Sequence, residues 1–170
     1  MTTPVLTRIE DAAEKDAPLI LQFIRELAEY ERGADRVSAT EDILRATLFG
    51  PQRIAYAVIA YSGQQAAAFA IYFFSYSSFS GLPNLYLEDL FVRPAYRGLG
   101  AGKELFAFLA HRANERGCGR MEWSVLKWNE PAMGFYRKLG ANPVTDWTVF
   151  HLAKEDMAEL TQVAVDHWSA

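Results

Sequence analysis

The chain has 170 residues, of which 51% are hydrophobic, with 17 basic and 21 acidic side chains and a formal net charge of −4. That length supports one domain, residues 1–170, with a sizeable core. The apolar content excludes disorder, and no run approaches the roughly 18 apolar residues of a membrane span. The acidic balance gives no support for nucleic-acid or membrane partners and mildly favours a cationic small molecule. A single cysteine, Cys118, excludes an internal disulfide framework and fits a reducing cytoplasm. Residues 1–8 lack the basic-then-apolar layout of a secretory leader.

Residues 7–10 read as a first strand. A helix then starts at Asp16-Ala17-Pro18, with Leu19, Phe23, Leu27 and Tyr30 at helical spacing, and Glu31-Arg32-Gly33 ends it. Ser38 or Thr40 caps a second helix through Leu48, and Ser38 with Glu41 has the spacing of a capping box. Residues 53–60 and 65–76 are two strands joined through Ser62-Gly63, a hairpin signal. After a polar turn, residues 85–92 form a fourth strand leading into Arg97-Gly98-Leu99-Gly100-Ala101-Gly102 and a helix over residues 103–115. Residues 120–126 alternate as a fifth strand. A helix follows Trp128-Asn129-Glu130-Pro131 over residues 132–139. Residues 142–144 and 148–152 look strand-like, and Met157, Leu160, Ala164 and Trp168 mark a closing amphipathic helix. The expectation is an α/β (α+β) fold with a mixed central sheet of about six to seven strands flanked by helices.

The glycine loop is the strongest local signal. Three glycines in five residues let main chain approach a ligand closely, and the helix start behind them offers unpaired N–H groups and a positive dipole end. Together they describe a phosphate cradle. The spacing Gly-x-Gly-x-Gly in mid-chain is not the dinucleotide fingerprint. Gly102-Lys103-Glu104 lacks the hydroxyl of a P-loop.

Two motifs carry a resemblance to the GNAT family of N-acetyltransferases. One is the loop behind Leu87-Glu88-Asp89-Leu90-Phe91-Val92-Arg93-Pro94; the other is Trp128-Asn129-Glu130-Pro131 with Phe135-Tyr136 and Leu139-Gly140-Ala141. Glu26-Leu27-Ala28-Glu29-Tyr30-Glu31 and Leu85-Tyr86-Leu87-Glu88-Asp89 further resemble the diamine (spermidine/spermine) branch. The similarity runs from about residue 6 to about residue 160.

The resemblance implies acetyl-CoA as cosubstrate and transfer to a primary amine of a diamine, polyamine or thialysine-like acceptor, directly in a ternary complex. The main chain of Arg97, Gly98, Leu99, Gly100, Ala101, Gly102 and Lys103 is expected to hold the diphosphate. Leu90, Phe91 and Val92 are expected to pair with the pantetheine arm, with the Leu90 N–H at the thioester oxygen; their side chains equally suit a core strand. Asn129 is expected at the pantetheine amides or as a helix cap, a role that by itself explains the residue type.

Tyr136 is expected to be the general acid, because a phenol with an ordinary pKa of about 10 is protonated at neutral pH and able to serve a departing thiolate. Glu88 is expected to be the base. A carboxylate lies about six units below an alkylammonium, so a water relay or a neutral amine is easier than direct abstraction. Tyr30, Glu31, Glu88, Glu122, Trp123 and Ser124 are expected to bind the substrate.

Three departures from the branch stand out: Ser77 where an acid is usual, Phe79 where a tryptophan is usual, and a shorter chain near Asp146-Trp147. Fewer acids weaken long polyamines more than short amines or amino-acid-like side chains. His111, His151 and His167 have no metal-ligand spacing, so no metal is expected. Cys118, between Gly117 and Gly119, reads as a small residue at a strand start rather than a nucleophile. A homodimer is expected from the branch. An aminoglycoside or protein amine as acceptor, or a non-catalytic acyl-CoA sensor, are the competing functions.

Overall fold

The computed structural model describes the backbone from residue 6 to residue 168 and side chains as far as residue 161. Residues 1–5, read above for the absence of a leader, and the side chains of Ala164, His167 and Trp168 lie outside that description.

The chain divides into two compact units, Met1–Ser124 and Val125–Ala170. The first holds a five-stranded sheet in the order β1 (Arg8–Asp11), β2 (Tyr56–Ser62), β3 (Gln65–Ser77), β4 (Leu82–Val92) and β5 (Met121–Trp123). Neighbours are antiparallel up to β4, and β5 joins β4 in parallel. A parallel neighbour needs a long crossover, here the glycine loop and α3 (Ala101–Glu115).

Alternation along the strands gives the sheet two faces. Phe69, Ile71 and Phe91 join Ala57 and Ile59 in one cluster with Ile20 and Phe23 of α1 (Ala17–Tyr30). Phe23 stacks on Phe69 with ring centroids 4.9 Å apart. On the other face, Phe106 of α3 meets Trp123 of β5 edge-on at 5.1 Å. Pro18 is tolerated in the first turn of α1 because its missing N–H has no helical partner there.

Helix α2 (Glu41–Leu44) runs on into a π-helical turn, Arg45–Phe49. Its cap is Thr40, whose hydroxyl accepts the Ile43 N–H at 3.3 Å. The Ser38–Glu41 box is therefore not formed, because the helix starts too late for Ser38.

The second unit holds α4 (Glu130–Lys138) and α5 (Lys154–Trp168). The expected strands at residues 142–144 and 148–152 are not regular structure. A strand exists only by pairing, and among the described residues these stretches enter no strand ladder; Val149 and Phe150 are exposed. Among the described residues the mixed sheet thus has five strands, against the six or seven expected. The fold class itself, a mixed sheet between helices, is the expected one.

Candidate active site

The site begins with an irregularity in β4. Ile71 of β3 faces Asp89, but its neighbour Tyr72 faces Leu87, so Glu88 has no partner and forms a bulge. A bulge inserts one residue and switches which edge each later N–H addresses. Before it, the Leu85 N–H points to β5, donating to the Arg120 carbonyl at 3.1 Å. After it, the Arg93 N–H points to β3, donating to the Ala67 carbonyl at 2.9 Å. Counting back by twos, Phe91 and Asp89 also address β3, so Leu90 and Val92 address the opposite edge. β5 covers that edge only from Leu85 to Leu87. Among the described residues, no strand takes up the Leu90 and Val92 N–H groups. An extended amide-bearing chain is the natural partner for such an edge.

The glycine loop follows. A single turn, Pro94–Tyr96, leads to Arg97. Gly98 has φ +73° and Gly100 φ +103°, both in the left-handed region that favours glycine. Gly100 is the N-cap of α3 and has no side chain to cap its first turn. The N–H groups of Ala101, Gly102 and Lys103 therefore open toward the loop. Gly102 lies inside α3 and needs no left-handed conformation. The geometry suits a diphosphate joined to an amide-bearing arm, which is how acetyl-CoA is built. Leu99 is exposed.

Helix α1 brings acid to the same face. It ends in a double hydrogen bond that satisfies its last carbonyls, with Gly33 N–H on Ala28 at 2.8 Å and Arg32 N–H on Glu29 at 3.1 Å. Arg32, rather than the following glycine, takes the left-handed position, with φ +58°. The turn sets Tyr30 and Glu31 at the helix terminus. Burial pushes the Glu31 carboxyl up, against an opposing pull from Arg36.

Asp89 was not singled out from the sequence. Facing Ile71, it lies on the α1 side and is half-buried. Its carboxyl is pushed up to about 6, by burial first and then by the charges of Glu88 and Glu31. Three carboxylates are thus electrostatically close around the bulge. The adjacent Glu88-Asp89 pair, breaking the apolar alternation of the strand, was the available sequence signal. The Arg93–Glu26 pair also escaped notice, because 67 residues separate its members. Arg93 donates to Glu26 at 2.8 and 2.7 Å and holds its carboxyl below the usual range.

On the β5 side, Tyr86 faces Glu122. The Tyr86 hydroxyl and Ser124 Oγ share a hydrogen bond of 3.0 Å. The Glu122 carboxylate is already engaged: buried Asn84 donates to it at 3.3 Å, and Arg120 pairs with it at 2.9 Å. Trp123 alternates to the other face and packs on Phe106.

In the second unit, Asn129 is a buried N-cap whose Oδ1 accepts the Ala132 N–H at 3.3 Å. Nearly two helical turns later stand Phe135 and Tyr136, rings tilted and 5.5 Å apart, with Tyr136 half-buried. Among the described residues no group of three or more His, Cys, Asp or Glu side chains is arranged to hold a metal, and no helix is long and apolar enough to cross a membrane.

Residues 20–141 match the model of the acetyltransferase (GNAT) family. The chain is 39% identical over 163 residues to thialysine N-epsilon-acetyltransferase of Bos taurus, covering 89% of this chain and 95% of that one. It is 34% identical over 164 residues to spermidine/spermine N(1)-acetyltransferase-like protein 1 of Homo sapiens, covering 92% of this chain and 24% of that longer one. An integron cassette protein from V. cholerae has the same fold, with a TM-score of 0.76 at 22% identity over 94% of this chain and 99% of that one. The family match and these relatives lead to one conclusion: the chain belongs to the GNAT acetyltransferase family, which uses acetyl-CoA, on its diamine acetyltransferase branch, and is an N-acetyltransferase.

Proposed function

We propose that the protein transfers the acetyl group of acetyl-CoA directly to a primary amine of a small cationic acceptor, a short diamine or a thialysine-like amino acid before a long polyamine. The amine nitrogen bonds to the thioester carbon as the carbon–sulfur bond breaks. The main chain from Arg97 to Lys103 holds the diphosphate, and the Leu90 N–H polarises the thioester oxygen. Phe91 and Val92 continue the strand beside the pantetheine arm, and Asn129 serves its amides while capping α4. Glu88 takes the ammonium proton before attack, directly or through water; Tyr136 gives its proton to the departing thiolate and is reprotonated, through solvent, by the proton that leaves the acylated nitrogen. Tyr30, Glu31, Glu122, Trp123 and Ser124 form the acceptor-binding set. The reading includes a homodimer built from one catalytic domain, and the single cysteine suits a reducing cytoplasm.

The observation that carries this reading is the acidic group of Glu31, Glu88 and Asp89 beside the open edge of β4. It gathers negative charge at one end of the site. Glu122 is already neutralised by Arg120, and Ser77 brings no charge. One ammonium is thus provided for better than several spread along a chain. The test is kcat/KM for putrescine, thialysine, lysine, spermidine, spermine and an aminoglycoside. Thialysine or putrescine is expected to exceed spermine. A preference for spermine contradicts the charge argument, an aminoglycoside preference contradicts the acceptor class, and no amine-dependent release of coenzyme A contradicts the enzyme.

A further inference from the structure

Two arginines beyond β4 reach α1 one helical turn apart. Arg93 grips Glu26 with two hydrogen bonds of 2.8 and 2.7 Å and gives a third, of 2.8 Å, to the Ala66 carbonyl. Arg97 donates Nε to the Val92 carbonyl at 2.8 Å. Its guanidinium lies 4.7 Å from the Tyr30 ring centroid and 5.2 Å from that of Phe91. Those two rings are 6.4 Å apart. Glu26 and Tyr30 stand four residues apart on α1 and therefore share a face.

The two contacts differ in what holds the arginine. Arg93 is tied to the sheet through its own main chain, donating to Ala67 at 2.9 Å. Arg97 belongs to the loop, where Gly98 and Gly100 set the chain in left-handed conformations. Whatever fixes the loop also fixes Arg97, and through it the ring of Tyr30 beside Glu31.

We propose that Arg97 is a positioning residue that couples the two substrates: acyl-CoA on the glycine loop sets the Arg97 side chain against Tyr30 and tightens the binding of the amine at the end of α1. The proposal rests on the reading of the loop as an acyl-CoA cradle and of Tyr30–Glu31 as the amine end. By linkage the coupling is reciprocal, so bound amine tightens coenzyme A by the same factor. A cation over aromatic rings at a partly exposed site limits that factor to about two- to fivefold.

The experiment is calorimetric titration of thialysine, and in parallel spermidine, into the full chain with and without saturating coenzyme A, which has no acetyl group to transfer. Wild-type protein is expected to bind amine about two- to fivefold more tightly when coenzyme A is present. Arg97→Met and Tyr30→Leu are expected to bring the ratio to one, while Tyr30→Phe, which keeps the ring, preserves it. A merely structural Arg97 would change stability and leave the ratio intact. A ratio of one in wild type, or an unchanged ratio in Arg97→Met or Tyr30→Leu, overturns the coupling and leaves the acyl-CoA reading standing. Wild-type protein that binds no coenzyme A overturns both. Protein that binds coenzyme A but neither amine overturns the amine end and the coupling with it.

Discussion

Ahead of Glu88, strand β4 is held on both edges, by β3 along its length and by β5 from Leu85 to Leu87. Beyond Glu88, β3 holds one edge, and among the described residues nothing takes the N–H groups of Leu90 and Val92 on the other. In the near half the side chains are engaged: Asn84 on Glu122, Tyr86 on Ser124, Phe73 stacked on Tyr86 at 5.0 Å. The far half offers its main chain and runs straight into the glycine loop. One inserted residue separates the half of β4 that has partners on both edges from the half that β3 alone pairs. It also explains why acid collects there, since a bulge brings Glu88 and Asp89 together where regular alternation would send them to opposite faces.

The comparison can be broken most sharply at the loop. Gly100→Val places a β-branched residue at φ +103° and fills the approach to the first turn of α3. Acetyl-CoA affinity is expected to fall at least about a hundredfold by calorimetry, since several diphosphate contacts are lost together; ordinary affinity would remove the loop from the site. Tyr136→Phe changes no residue of β4. It is expected to lower kcat at least about tenfold while acetyl-CoA affinity stays within about twofold, as loss of a general acid does. Equal turnover by the variant would strip Tyr136 of the acid role.

Asp89→Asn probes the bulge itself. The folded-state carboxyl, raised to about 6 from 3.8, binds its proton more tightly than the unfolded one. Wild-type protein therefore loses stability as pH rises from about 4 through about 6, and the variant does not. At neutral pH the variant is expected to be more stable, by on the order of 1–2 kcal/mol after allowance for partial exposure. Its amine KM should also lack the fall that the ionising third carboxylate gives wild type through pH 6, a difference of about two- to fivefold. Parallel pH profiles for the two proteins would count against the acidic group. The smallest effect belongs to the near half: Tyr86→Phe forfeits the bond to Ser124, costs about 0.5–1 kcal/mol in urea denaturation and leaves acetyl-CoA affinity unchanged.

Strands β2, β3 and β4 were largely legible in the sequence because they are apolar and follow one another as antiparallel neighbours through short turns. Strand β3 over Gln65–Ser77 differs from the expectation by one residue, and α1 ends at Tyr30 as its periodicity says. The weak places share a cause. Residues 148–152 have the alternation of a strand, but pairing is a property of two segments and leaves no mark on one. The bulge is likewise a relation between β3 and β4, visible in β4 only as the adjacent acids Glu88 and Asp89. Ser38 and Thr40 are chemically equivalent caps, and only the helix register chooses Thr40. In the candidate site, the glycine loop stood out by its spacing, and Asn129 as a helix cap by its residue type and its place before Glu130-Pro131. Asp89, Arg93 and Glu26 did not, because burial and a contact across 67 residues decide what they do.

The division of β4 into two halves is tested most directly by replacing single main-chain N–H groups with ester oxygens at Leu85 and at Leu90, leaving every side chain in place. The Leu85 ester loses the bond to the Arg120 carbonyl and is expected to cost about 1 kcal/mol of stability with kcat unchanged. The Leu90 ester is expected to leave stability unchanged and lower kcat about a hundredfold, the effect of losing a donor to the developing negative charge on the thioester oxygen. Full turnover by the Leu90 ester, or a loss of turnover confined to the Leu85 ester, would contradict the account.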